Sequence, residues 1–136
     1  MMIVLDTNVI VSGILRPSGK AALILTLVAD GTLQLAFDLR LLSEYRDVLN
    51  RPKFALAKEN VEAFLTQVEQ EGFLVSVKPL KTHLLDPDDE LFLEVAIAGR
   101  AEAIVTGYKR RLSRKEYEGV RILSPVEFVE VLEGRI

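Results

Sequence analysis

Met2-Ile3-Val4-Leu5-Asp6-Thr7-Asn8 is the stretch that decides the fold: a short apolar, β-prone run that stops at three polar residues. This is how a buried strand looks where it meets a polar turn. Outward from it, strand and helix signals alternate. After the Pro17-Ser18-Gly19 breaker, Ala21, Leu23, Ile24, Leu27 and Val28 recur at helical spacing up to Asp30-Gly31, a turn that ends the helix. Leu33 to Phe37 predicts a second strand. Leu41, Leu42, Tyr45, Val48 and Leu49 form another helical stripe, which ends near Arg51-Pro52 because proline disfavours helix in the residue before it. Residues 58 to 71 make a further amphipathic helix through Val61, Phe64, Leu65 and Val68.

Phe73 to Val77 alternates like a strand, and the pattern is helical from Asp86 to Gly99. Ala103 to Thr106 and Val120 to Leu123 predict two more strands. Ser124, Pro125 and Glu127 open a last helix, with serine as N-cap, proline at the first helical position and glutamate three residues on, a capping box. Strands that alternate with helices imply a mainly parallel sheet covered on both faces. The expectation is therefore a three-layer α/β/α fold. The length of 136 residues fits one domain over residues 1–136, long enough for a real core and too short for two.

Composition narrows the class. No apolar stretch approaches the roughly 18 residues of a membrane span, and Met1 to Asn8 has no basic leader, so no membrane anchor or secretory signal is expected. The chain has no cysteine, which excludes disulfides and thiolate metal sites and makes a cytoplasmic location the expectation. The net charge of -3 provides no global attraction to nucleic acid; any such binding must come from local basic patches.

In open parallel sheets the functional crevice lies beyond the carboxyl ends of the strands. Asp6 and Asn8 follow the first strand, and Thr106, Gly107 and Tyr108 follow the Ala103 strand. Glu44 sits at the edge of the apolar stripe of its helix, where a charge needs a partner or a cation to offset desolvation. Asp86-Pro87-Asp88-Asp89-Glu90 places four acids in five residues at a helix start. Asp86 as N-cap, Pro87 as first residue and acids that complement the helix dipole explain that segment structurally. A functional reading has at least one of these acids in the crevice beside Asp6, where several carboxylates could not all stay ionised without a cation. Mg²⁺ or Mn²⁺ suits all-oxygen ligands, and zinc does not suit a chain with no cysteine and one histidine. His83 reads as a loop residue, and Phe92 and Leu93 as core.

Lys109, Arg110, Arg111, Arg114 and Lys115 are five basic residues in seven positions just past the crevice. They read either as a solvated loop or as phosphate attraction at the rim of an acidic site, with Tyr108 and Tyr117 able to stack on bases of single-stranded RNA.

Five segments in order, Leu5-Asp6-Thr7-Asn8-Val9, Leu42 to Leu49 with Arg51-Pro52-Lys53-Phe54, Asp86 to Glu94, Ile104 to Gly107, and Ile122 to Phe128, resemble the successive motifs of the PIN domain family. The bacterial and archaeal branch described as toxin components of toxin–antitoxin systems is the most similar. The resemblance implies that Asp6, Glu44 and Asp89 are metal-binding acids, that Asn8 and Thr106 support them, and that Asp86 is an extra carboxylate. It implies hydrolysis of RNA by metal-activated water, an antitoxin protein as partner, and a homodimer or higher oligomer. Where the family commonly carries a fourth acid after Thr-Gly, this chain has Tyr108. The alternative is thus a catalytically weakened PIN domain that binds RNA or protein. A phosphatase with Asp6 as nucleophile fits less well, since that chemistry wants a second aspartate where Asn8 stands.

Overall fold

The computed structural model describes residues 1–80, 87–107 and 116–134, with the backbone alone at Pro87 and Asp88. Their order is β1 (Met2–Leu5), α1 (Thr7–Leu15), α2 (Lys20–Ala29), β2 (Gln34–Phe37), α3 (Leu39–Leu49), α4 (Lys58–Glu71), β3 (Phe73–Leu74), α5 (Pro87–Ala98), β4 (Ala103–Val105), β5 (Glu116–Tyr117), β6 (Val120–Leu123) and α6 (Pro125–Leu132). A single 3-10 turn at Pro52–Phe54 follows α3. The sheet runs β3-β2-β1-β4-β6-β5, parallel throughout except for the β5–β6 pair. This is the expected three-layer α/β/α architecture.

The order has a consequence for the site. Successive strands step outward from β1 through β2 to β3, and the chain then returns to place β4 on the other side of β1. Because crossovers between parallel strands are right-handed, that reversal puts α5 on the opposite face from α1 to α4. There it packs on β1, β2 and β4. The strand order changes direction between β1 and β4, and the space beyond their carboxyl ends is where open parallel sheets place a functional crevice. The core runs up to that point, with Ile3, Val4, Leu5, Ile104 and Val105 essentially inaccessible.

Three features differ from the sequence reading. Asp6-Thr7-Asn8 is not a turn but the start of α1, with Asp6 as N-cap accepting from the Asn8 backbone N–H. The Phe73 strand ends at Leu74 rather than Val77, because β2 ends at Phe37 and Asp38 already caps α3; the Val75 N–H makes the last bond, to the Phe37 carbonyl. A short β5 also pairs with β6 through a two-residue turn, Glu118-Gly119, both with positive φ, the backbone that tight hairpins require. The predicted capping box at Ser124 and Glu127 is present. Among the described residues, no single helix is long and apolar enough to cross a membrane.

Candidate active site

Asp6 stands where β1 ends, at the switch point, and is only 5% exposed. Its backbone N–H donates to the Val105 carbonyl at 3.0 Å, so β4 fixes the start of the turn. One carboxylate oxygen accepts from the Asn8 N–H at 3.3 Å and the other from the Thr106 hydroxyl at 2.7 Å. The expected trio of Asp6, Asn8 and Thr106 is therefore together, although Asn8 acts through its backbone. A carboxylate offers about four lone-pair directions. The Asn8 N–H and the Thr106 hydroxyl leave Asp6 acceptor capacity for a cation. Next to it, the Thr7 hydroxyl is buried and has no hydrogen-bond partner among the described residues.

Glu44 lies half-buried on α3, one residue before a fully buried tyrosine. The Tyr45 hydroxyl donates to the Leu5 carbonyl at 2.5 Å, and its ring meets Phe64 edge-on, with centroids 5.8 Å apart. Burial pushes the Tyr45 phenol well above its ordinary pKa; the charges of Asp6 and Glu44 add to this and the bond to Leu5 opposes it. Tyr45 thus remains a neutral donor, and both acids lie close enough for their fields to reach it.

Asp89, also 5% exposed, belongs to the buried stripe of α5 with Phe92, Leu93 and Ala96, one helical face by spacing. A carboxylate on such a face near the helix start is held inward by the packing of the residues below it. A second acidic arrangement escaped the sequence reading. Asp38 caps α3 through the Leu41 N–H at 2.9 Å. Arg40 bridges Asp38 at 2.8 Å and Glu94 of α5 at 3.1 Å. Burial works against the Arg40 charge, but the two carboxylates more than offset it and raise its pKa. The available signal was a repeat of local grammar: Asp38 follows β2 as Asp6 follows β1.

Oxygen donors from Asp6, Glu44 and Asp89 suit a hard divalent cation in kind. Among the described residues, however, no three histidine, cysteine or acidic side chains are grouped closely enough to hold a metal ion. Asp86, His83, Tyr108 and the basic residues Lys109, Arg110, Arg111, Arg114 and Lys115 lie outside the described residues.

No curated protein matches the chain. A family model described as a PIN domain matches residues 2–110, a range that takes in β1, Glu44, Asp89 and Thr106 and therefore every element that borders the switch point. The chain belongs to the PIN domain family.

Proposed function

We propose that this PIN domain is a ribonuclease that hydrolyses single-stranded RNA with Mg²⁺ or Mn²⁺. PIN domains have a nuclease-type fold and are generally dependent on divalent metal. The observation that carries the reading is Asp6: a buried carboxylate at the switch point, oriented by two donors and with acceptor capacity left over. In this reading Asp6, Glu44 and Asp89 would hold the ion together with Asp86, which lies outside the described residues and would complete a group that the described acids alone do not form. The ion, when bound, supplies Lewis acidity toward water and toward charge that develops on the scissile phosphate. Thr106 fixes the Asp6 rotamer through its hydroxyl, so the carboxylate needs no reorganisation on binding. The apolar floor of Leu5 and Val105 excludes water from below. Lys109, Arg110, Arg111, Arg114 and Lys115 attract the RNA backbone, and in the toxin form of the proposal an antitoxin protein covers the crevice of a homodimer.

Incubation of labelled single-stranded RNA with the pure protein and Mg²⁺ or Mn²⁺ tests it. Cleavage is expected only with metal, and Asp6→Asn and Asp89→Asn should each reduce it to background. Metal-independent cleavage, or cleavage that survives Asp6→Asn, overturns the proposal. A second reading, a binding module with weakened catalysis, is favoured by the absence of a three-acid group among the described residues and by Tyr108 at the fourth acidic position. Under it, wild type is inert and Tyr108→Asp gains metal-dependent cleavage.

A further inference from the structure

We propose that Tyr45 is a positioning residue whose hydroxyl, by holding the Leu5 carbonyl, sets where the Asp6 carboxylate stands relative to Glu44. The inference rests on reading Asp6 and Glu44 as acids of one divalent-cation site.

The Leu5 carbonyl and the Asp6 N–H belong to the same peptide unit, which is planar and trans, so the two groups point in opposite directions. The Asp6 N–H is taken by Val105 of β4 at 3.0 Å. The carbonyl therefore faces the β2 side. There the β1–β2 register runs through Met2 and Ile3, and the Leu5 carbonyl is taken instead by Tyr45 from a distance of 40 residues in sequence. One peptide plane is thus gripped from both sides, by β4 and by α3. Asp6 begins at the next Cα, and with its plane held, the turn into α1 starts from a fixed orientation. The same bond ties α3 to β1 beside Glu44, the neighbouring residue on that helix. The tyrosine ring is itself held: it is fully buried and meets Phe64 of α4 edge-on at 68° between planes. Phenylalanine would fill the same space without the cost of burying a hydroxyl, so the hydroxyl is explained by what it holds.

The test is Tyr45→Phe, which removes only that oxygen, beside Val68→Ala as a destabilised control on the buried face of α4, where Val68 lines a groove with Met1 and Gln34 at the opposite end of the strands from Leu5. Mn²⁺ binding is measured by titration of the metal-free proteins, and RNA cleavage is resolved into kcat and KM. Tyr45→Phe is expected to weaken Mn²⁺ binding about tenfold or more, on the scale of lost supports around metal ligands, and to lower kcat with KM for RNA unchanged. Val68→Ala should lower the melting temperature and leave Mn²⁺ affinity alone. Unchanged Mn²⁺ affinity in Tyr45→Phe, or an equal loss in Val68→Ala, overturns the inference. If wild type binds Mn²⁺ and cleaves no RNA, the nuclease reading fails while a weaker Tyr45→Phe still supports the positioning role. If wild type binds no Mn²⁺, both fall.

Discussion

Asp6 and Thr7 are adjacent, almost equally buried and oppositely provided for. The carboxylate has two donors, and the hydroxyl beside it has no partner among the described residues. An unpaired buried hydroxyl costs about 1–3 kcal/mol in desolvation. Valine has the same shape with a methyl group in its place. Thr7→Val is therefore expected to raise the melting temperature by roughly 3–5 °C per kcal/mol recovered in a chain of this size, as followed by circular dichroism of the metal-free protein. A fall instead would mean that water or a ligand satisfies the oxygen in solution. Individual residues were unevenly legible. Asp6 and Thr106 could be paired from sequence because each directly follows a strand, and they meet at 2.7 Å. Tyr45 could be read only as an apolar stripe position, since nothing in a sequence says which distant carbonyl a phenol will reach.

The elements were legible where burial is one-sided. α3 and α4 each show one apolar face and one charged face, and their stripes were visible as periodicity. α1 was not, because its sequence, Thr-Asn-Val-Ile-Val-Ser-Gly-Ile-Leu, is apolar on most sides and rich in β-branched residues, which argue locally for a strand. Only the N-cap at Asp6 marks it. The end of α5 was legible in outline and misleading in detail. Gly99 looks like the usual left-handed terminator, yet Arg100 takes the positive φ of 51°. Its neighbour Ala101 closes the motif by donating to the Ala96 carbonyl at 2.9 Å, the bonding of a Schellman cap. Gly99 serves close approach instead: a Cβ there would lie 2.8 Å from the Ala36 Cβ on β2 and 3.3 Å from Val75. Intrinsic propensity favours alanine over glycine by up to about 1 kcal/mol, whereas overpacking of this kind costs typically about 1–3 kcal/mol. The clash should win. Gly99→Ala is expected to destabilise the protein in a urea melt, and since α5 carries Asp89, to lift that carboxylate away from the crevice. A stabilised variant would show that α5 can ride off the sheet without penalty.

At the scale of the molecule, the strand order brings acids from distant parts of the sequence toward one end of the sheet. Asp6 and Thr106 are 100 residues apart and share a hydrogen bond, and Asp38 and Glu94 are joined by Arg40 across α3 and α5. That second pair carries its own cation. Asp6 and Asp89 are carboxylates buried to the same degree, and Asp6 is held by the Asn8 N–H and the Thr106 hydroxyl. If these acids share a divalent ion as proposed, the folded state gains from binding it, and an unfolded chain, in which they are scattered, does not. Linkage makes the gain measurable: a ligand that binds only the native state stabilises it by about 2.7 kcal/mol at a hundredfold excess over its Kd. For a chain of this length that corresponds to roughly 8–14 °C in melting temperature. Mn²⁺ or Mg²⁺ is therefore expected to raise the melting temperature of wild type in a saturable way, chelation to reverse the rise, and Asp6→Asn to abolish it. A rise of the same size in Asp6→Asn would place the ion elsewhere on this acidic protein, and no rise at millimolar metal would mean that the carboxylates, lacking an acid at position 108, do not bind the ion in the native state.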